Sequence, residues 1–390
     1  MSAISVGDRL TLDVGQIAHG GHFIAHAEGM TLFVRGAITG ERVVAEVIQV
    51  KKKIALAEAI EVITASEHRR EPPCHFSRER VCGGCDFQHI DLAHQRALKA
   101  QVVMDSFRRI AGIEVSVECL PASDDESGFH WRTRMDFTIA PGGRAALHPY
   151  RSDTLTEIDS CLIAREEIDV KSINEVIEGV PPFSRVRVGT SFDGQVKISS
   201  RDPSIEMRVG SKRYPISIES FWQPHRLAAE ILVAKARGLL SVRAGDLILD
   251  LYGGVGLFTA FLRDDVGERG KVLLIESDRR AIKDAKRLFS GDDRVTVIEG
   301  KVEERISTID RCDLVLLDPP RTGVVTAVIE ELGRLRPRQI LYISCDPATL
   351  ARDAKALLAL GYEMASLEAL DLFPMTEHIE SVANFIYSAD

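Results

Sequence analysis

The sequence predicts a multi-domain α/β protein. It should hold a small, OB-like N-terminal β-barrel, a central mixed α/β domain and a C-terminal Rossmann-like domain. Three observations carry this. Short alternating strands separated by glycine-rich turns fill residues 5–63. Cys74, Cys82 and Cys85 crowd a loop-rich stretch just after Glu71-Pro72-Pro73. From Leu247 onward, short apolar runs alternate with helical stretches, the pattern of strands buried on both faces of a doubly wound parallel sheet.

A chain of 390 residues suits two or three domains. The boundaries expected are 1–63, 64–218 and 219–390. Apolar residues make up 45%, which is ordinary for a globular protein, and the net charge of -9 gives no global attraction to nucleic acid. Any RNA contact must then come from local basic patches. The opening Met1-Ser2-Ala3-Ile4-Ser5-Val6-Gly7-Asp8 has neither a basic segment nor an apolar one, and no run is long enough to span a bilayer. A cytoplasmic, monomeric protein is expected, with no membrane partner.

In the first domain, Leu10–Val14, Thr31–Val34, Glu41–Val47 and Ala57–Thr64 read as strands. Lys51-Lys52-Lys53 and His19-Gly20-Gly21-His22 read as loops, of the kind through which small barrels bind nucleic acid. Apolar residues at helical spacing from Leu92 to Ala111, stopped by Gly112, predict one helix, with the C-terminal domain as a candidate packing partner. In the central region, Met135–Ala140, Val186–Val188 and Val196–Ser199 look strand-like and Ile168–Ile177 helical. Trp131-Arg132-Thr133-Arg134 suits base stacking and phosphate contact, or equally a strand with a solvated face. Arg69, Arg70, Arg78 and Arg80 add positive charge around the cysteines.

The C-terminal runs are Leu247–Asp250, Val272–Glu276, Val295–Ile298, Leu314–Asp318 and Ile340–Ser344. The first leads into Asp250-Leu251-Tyr252-Gly253-Gly254-Val255-Gly256-Leu257, a strand, a glycine turn and then a helix. Glu276 ends the second run, where an acid can accept hydrogen bonds from ribose hydroxyls. A dinucleotide is the first rival ligand. Yet an acid at the strand end would repel a pyrophosphate, whereas it suits the sulfonium and amino-acid tail of S-adenosylmethionine (SAM). A ligand-free tight turn is the plain alternative. Asp318-Pro319-Pro320-Arg321 follows the fourth run, so Asp318 should face the same crevice.

The fifth run ends in Ser344-Cys345-Asp346-Pro347, which puts Cys345 past a strand end rather than in the core. A thiolate beside a methyl donor suits an inert ring carbon: added to carbon 6 of uracil, it makes carbon 5 nucleophilic. The carbon-5 proton must then be removed by a base. Glu380 is a candidate at the start of the last apolar run, with Glu377 and His378 as competitors.

Taken together and in this order, these features resemble the RNA (uracil-5-)-methyltransferase family over nearly the whole chain. The resemblance implies a TRAM domain first, an iron–sulfur domain second and a SAM-dependent catalytic domain last, acting on tRNA or rRNA. It implies Cys345 as nucleophile and Glu380 as base, with SAM contacts at Gln223, Tyr252, Gly254, Glu276 and Asp318. Leu257 occupies a contact position where the family usually has Asn, and leucine cannot hydrogen-bond the cofactor. The resemblance also adds Cys161 as fourth ligand to Cys74, Cys82 and Cys85, although the first spacing here, C-x7-C, is longer than is common in the family. Spacing alone leaves zinc and iron–sulfur equal; the resemblance favours a 4Fe-4S cluster. The spacing does not match a radical SAM loop. Two further readings compete. An N-methyltransferase for an exocyclic amine would need no cysteine and would carry an aromatic where Arg321 stands. A non-catalytic RNA-binding scaffold has only Leu257 in its favour.

Overall fold

The computed structural model describes residues 4–122 and 127–388. Its N-terminal sheet has six strands in the spatial order Arg9–Asp13, Arg42–Val50, Ile54–Thr64, Met30–Arg35, His22–Ala27, Ile17–Ala18. Alternation sets the inner face: Phe23, Ala25, Leu32, Val34, Val43, Ala45 and Ala57 are all buried. The chain turns from the first strand onto the far edge at Gly15, whose N–H donates to Ile24 O at 2.7 Å, so the sheet curls on itself. A Cβ at Gly15 would meet that carbonyl at 2.9 Å. Two of the strands lie in or next to the segment read as a loop. His22 opens one of them, because the Gly20-Gly21 pair makes only the turn and pairing resumes at once.

The second sheet orders Thr156–Glu157, Ala145–Leu147, Arg134–Ile139, Arg185–Thr190 and Val196–Ile198, with the helix Val170–Val176 packed near it. Asp169 caps that helix by accepting from Lys171 N and Ser172 N.

The third sheet has eight strands, in the order Val295–Glu299, Lys271–Glu276, Leu247–Leu251, Leu314–Leu317, Gln339–Ser344, Glu380–Tyr387, Tyr362–Asp371, Cys119–Pro121. The first five are parallel, and Glu380–Tyr387 runs antiparallel to Gln339–Ser344. Every residue of Leu314–Leu317 and Gln339–Ser344 is buried, as continuous apolar runs require. All five parallel runs end at one edge, and the strand order reverses beside Leu247–Leu251, where such sheets bind ligands.

Two segments cross the expected boundary at residues 218/219. The predicted helix forms as Leu92–Ser106, followed by a π turn, Phe107–Ala111, closed by Gly112 at φ 76°. It packs against the helix Pro347–Ala359, and the chain after it adds Cys119–Pro121 to the eight-stranded sheet. Lys99, buried, donates to Asp371 at 2.7 Å and to Phe373 O at 2.9 Å, and Gln95 holds Met375 N. The hairpin Ser204–Val209/Lys212–Ser217 also faces the third sheet: Ile205, Met207, Tyr214 and Ile216 share a core with Leu257, Phe258 and Leu316. Their short, alternating runs look like any hairpin in the sequence; only the packing assigns them. No helix among the described residues is long and apolar enough to cross a membrane.

Candidate active site

Asp250 ends the Leu247–Leu251 strand completely buried. Its Oδ2 accepts from Thr259 Oγ1 at 2.6 Å and Thr259 N at 3.2 Å, while Oδ1 has no partner. A buried, unpartnered carboxylate oxygen calls for a donor or a cation. Burial pushes this carboxyl up to about 6. Tyr252 follows at φ 61°, then Gly254 at 55° and Gly256 at 89°, so the turn runs through left-handed backbone that favours glycine. A Cβ on Gly256 would strike the Phe289 ring at 2.4 Å, whereas one on Gly254 would meet nothing within 4 Å. The turn is thus packed on its inner side at Gly256 and open at Gly254. Glu276 completes it, accepting from Gly254 N at 2.9 Å and from Ser277 N and Asp278 N at 2.6 and 2.7 Å.

Asp318 sits half-buried just past Leu314–Leu317. Burial, with Asp250 and Glu276 nearby, pushes it up to about 7. Asp250 and Glu276 thus lie close enough to raise Asp318, a setting for a positively charged ligand. Gln223 is buried in the segment that joins the second and third sheets. Leu257 points elsewhere: its side chain is buried in the apolar core, and its carbonyl accepts from Tyr214 Oη at 3.1 Å. As a cofactor-facing side chain it is ruled out, because the hairpin beneath it claims that space.

Cys345 follows Gln339–Ser344 directly. In the neighbouring antiparallel strand Ser381 pairs with Ser344, the last pair of that ladder, and Cys345 and Glu380 are the next residues beyond it, toward the edge where Asp318 lies. Burial pushes the Cys345 thiol up to about 11, with Glu380 adding to the shift and Arg321 opposing it. Glu380 is fully enclosed and lies well above the usual carboxyl range, from burial first and Asp318 second, with Arg321 again opposing. Arg321 reaches the His378 ring at 3.1 Å, and His378 Nδ1 lies 2.9 Å from Glu377. The competing candidates Glu377 and His378 thus form a rim with Arg321, while Glu380 lies within.

Asp346 caps the helix Pro347–Ala359 through Ala348 N and Thr349 N, with Pro347 at its first turn. Its other oxygen meets His19 Nε2, from the N-terminal sheet, at 3.1 Å. The Asp-Pro dipeptide signals the cap in the sequence; nothing there signals the partner 327 residues away.

Cys74, Cys82, Cys85 and Cys161 line a single cavity of about 240 Å³. They are brought together because Gly83 N donates to His148 O and the chain packs so closely there that a Cβ on Gly83 would meet Tyr150 N at 2.7 Å. No three His, Cys, Asp or Glu side chains among the described residues are placed to hold one metal ion. The basic residues expected to contact RNA divide. Trp131 and Arg134 are buried, and Arg134 donates to Ser220 O at 2.6 Å, a structural role. Arg69 is held by the buried Glu41 at 2.6 Å. Lys51, Lys52 and Lys53 remain exposed in their turn.

Comparison with known proteins agrees with this geometry. The sequence model described as tRNA (uracil-5-)-methyltransferase matches residues 300–386, and that of the TRAM domain matches residues 5–60. A protein of Streptomyces coelicolor named as an RNA methyltransferase is 37% identical, covering 97% of this chain and 93% of its own. The chain belongs to the RNA (uracil-5-)-methyltransferase family. As a member of that family it is a SAM-dependent enzyme with a TRAM domain at its N-terminus and a Rossmann-like catalytic domain. The 23S rRNA (uracil(1939)-C(5))-methyltransferase of Shewanella halifaxensis is 28% identical over 97% of this chain and 96% of that one. The crystal structure of Pyrococcus abyssi tRNA (uracil-54, C5)-methyltransferase with S-adenosyl-L-homocysteine shares the fold. Its TM-score is 0.73 at 23% identity, covering 97% of this chain and all of that one.

Proposed function

We propose that this enzyme methylates carbon 5 of one uridine in a structured rRNA or tRNA through a covalent adduct on Cys345. The observation that carries the reading is that Cys345 and Glu380 lie just beyond the Ser344–Ser381 pair, with Glu380 and Asp318 both close enough to raise the thiol. SAM supplies the methyl. Asp318, Glu276, Tyr252 and the open backbone at Gly254 form its cradle, with Gln223 closing it from the connecting segment. Cys345, once its thiol proton has passed to water, bonds through Sγ to carbon 6 of the uracil; the electron pair of the 5,6 double bond shifts to carbon 5 and takes the methyl, leaving S-adenosylhomocysteine. Glu380 then takes the carbon-5 proton, the ring double bond re-forms and the carbon–sulfur bond breaks. Glu380 can act as base only when ionised, and Arg321 is the charged group nearby that favours this. A target uridine inside a helix must be flipped out to reach the crevice. The exposed Lys51–Lys53 turn of the TRAM domain supplies phosphate contacts.

The test is trapping. RNA transcribed with 5-fluorouridine carries fluorine in place of the proton that Glu380 removes. The sulfur adduct should then accumulate as an enzyme–RNA band stable to denaturation, with SAM required for it. If such RNA is bound but no stable band forms, the covalent reading fails.

The four cysteines are proposed to hold a 4Fe-4S cluster. A single zinc draws four sulfurs to about 2.3 Å from one centre. Here the four thiols line one cavity, and it is the family resemblance that favours a multi-atom cluster between them. Methyl transfer needs no electron, so the cluster's role is to staple a loop-rich segment. Anaerobically purified protein should be brown with about four irons per chain. A Cys161→Ser variant should be paler and less stable to heat. Colourless protein with stoichiometric zinc would sink this part.

A further inference from the structure

We propose that His19 is a positioning residue for the methyl transfer: the TRAM domain completes the active site by holding Asp346, the residue bonded to Cys345. This rests on the reading of Cys345 as nucleophile.

The geometry is a two-point anchor. One oxygen of Asp346 is fixed by Ala348 N and Thr349 N at 3.0 and 2.9 Å. The other faces His19 Nε2 at 3.1 Å. Ser344 Oγ accepts from Asp346 N at 3.2 Å and donates to Asp346 O at 3.0 Å, which pins the same peptide from the strand side. Without His19, half of the Asp346 carboxylate is loose, and the backbone that aims the thiol loses its outer support.

His19 is itself held in place. It follows the short strand Ile17–Ala18 and precedes Gly20 and Gly21. Gly21, at φ 73°, lies so close to the catalytic rim that a Cβ there would be 2.7 Å from Glu377 Cβ. Behind it His22 Nε2 lies 3.0 Å from Tyr150 Oη. On the other flank Asp86 N and Phe87 N both donate to Met375 O at 3.0 Å. The TRAM loop, the cysteine segment and the Phe373–His378 loop therefore meet at the mouth of the crevice. These contacts hold the turn that carries His19; its own side chain is 45% exposed and is anchored by Asp346. The pair is also charge-assisted: Asp346 raises the imidazole above its ordinary value and His19 helps lower the carboxyl. An RNA held by the TRAM domain is thus tied through His19 to the residue next to the nucleophile.

The experiment uses the full chain, SAM with a tritiated methyl group, and total RNA from a strain lacking this protein. His19→Ala should slow single-turnover transfer at saturating RNA about 10-fold, since small misplacements of a reacting group are costly. SAM affinity should stay within about twofold, because no cofactor contact is touched. His19→Gln retains an N–H for Asp346 and should recover most of the rate. Asp346→Asn should lose about as much as His19→Ala, and the double variant no more than either alone. A His19→Ala rate equal to wild type overturns the proposal. So does a His19→Gln rate as low as that of the alanine variant, because the hydrogen bond would then not be the cause. If Cys345→Ala retains methylation, the nucleophile reading fails instead, whatever His19 does.

Discussion

Replacing Cys345 by alanine is expected to lower methylation at least about 10⁴-fold, the scale on which losing a covalent nucleophile usually tells. The reason lies in the acceptor. Carbon 5 of uracil has no free electron pair of its own. Only addition of sulfur at carbon 6 creates the needed carbanion character. The loss should fall entirely on the rate of transfer. Cys345 is half-exposed and makes no hydrogen bond that supports the fold, so the variant should melt close to wild type. SAM affinity should persist, since Asp250, Glu276 and Asp318 are untouched. Adduct formation with 5-fluorouridine RNA should vanish at the same time. Radiolabel incorporation, calorimetry and a denaturing gel check the three parts. Residual activity within about 100-fold of wild type would instead favour attack by an exocyclic amine, which needs no sulfur.

The catalytic half was legible because its chemistry sits where the sequence pattern changes. Asp250, Glu276, Asp318 and Cys345 all close apolar runs, and in a parallel sheet every such end lies on one edge. Glu380 begins the last run and could be placed only with its strand direction, which an antiparallel neighbour fixes. What escaped was non-local. Trp131 and Arg134 look like nucleic-acid residues by type, yet Arg134 serves two buried carbonyls of the 218–220 segment. Leu257 stands in a motif but belongs to the core, because an unassigned hairpin packs under it. Cys119–Pro121 is too short to announce a strand. His19 and Asp346 share no pattern, since their contact is made by the docking of two domains.

In the free enzyme the thiol is held mostly protonated, and the cofactor's own charge is the lever expected to release it. With Cys345 at about 11, only about one thiol in a thousand is ionised at pH 8. On the proposed placement of SAM beside Asp318 and Glu276, its sulfonium would put one positive charge near the thiol. At an effective dielectric of about 20, a unit charge about 6 Å from a thiol is worth about 3 kcal/mol, or two pKa units. A cation favours the ionised form, so the thiol's pKa moves down. Asp318 and Asp250, at about 7 and 6, are already ionised at pH 8, and their standing negative charge offsets part of the sulfonium's field at the thiol. A net fall of one to two units is the expected result, an increase in thiolate of about 10- to 100-fold at pH 8. The check is the pH dependence of Cys345 alkylation by iodoacetamide, read by peptide mass spectrometry, with SAM and with S-adenosylhomocysteine. The two ligands shield the crevice alike and differ by the sulfonium charge, so only SAM should shift the midpoint downward. Equal midpoints would mean that the nucleophile is activated by the arriving RNA alone, with Arg321 as the group left to do it.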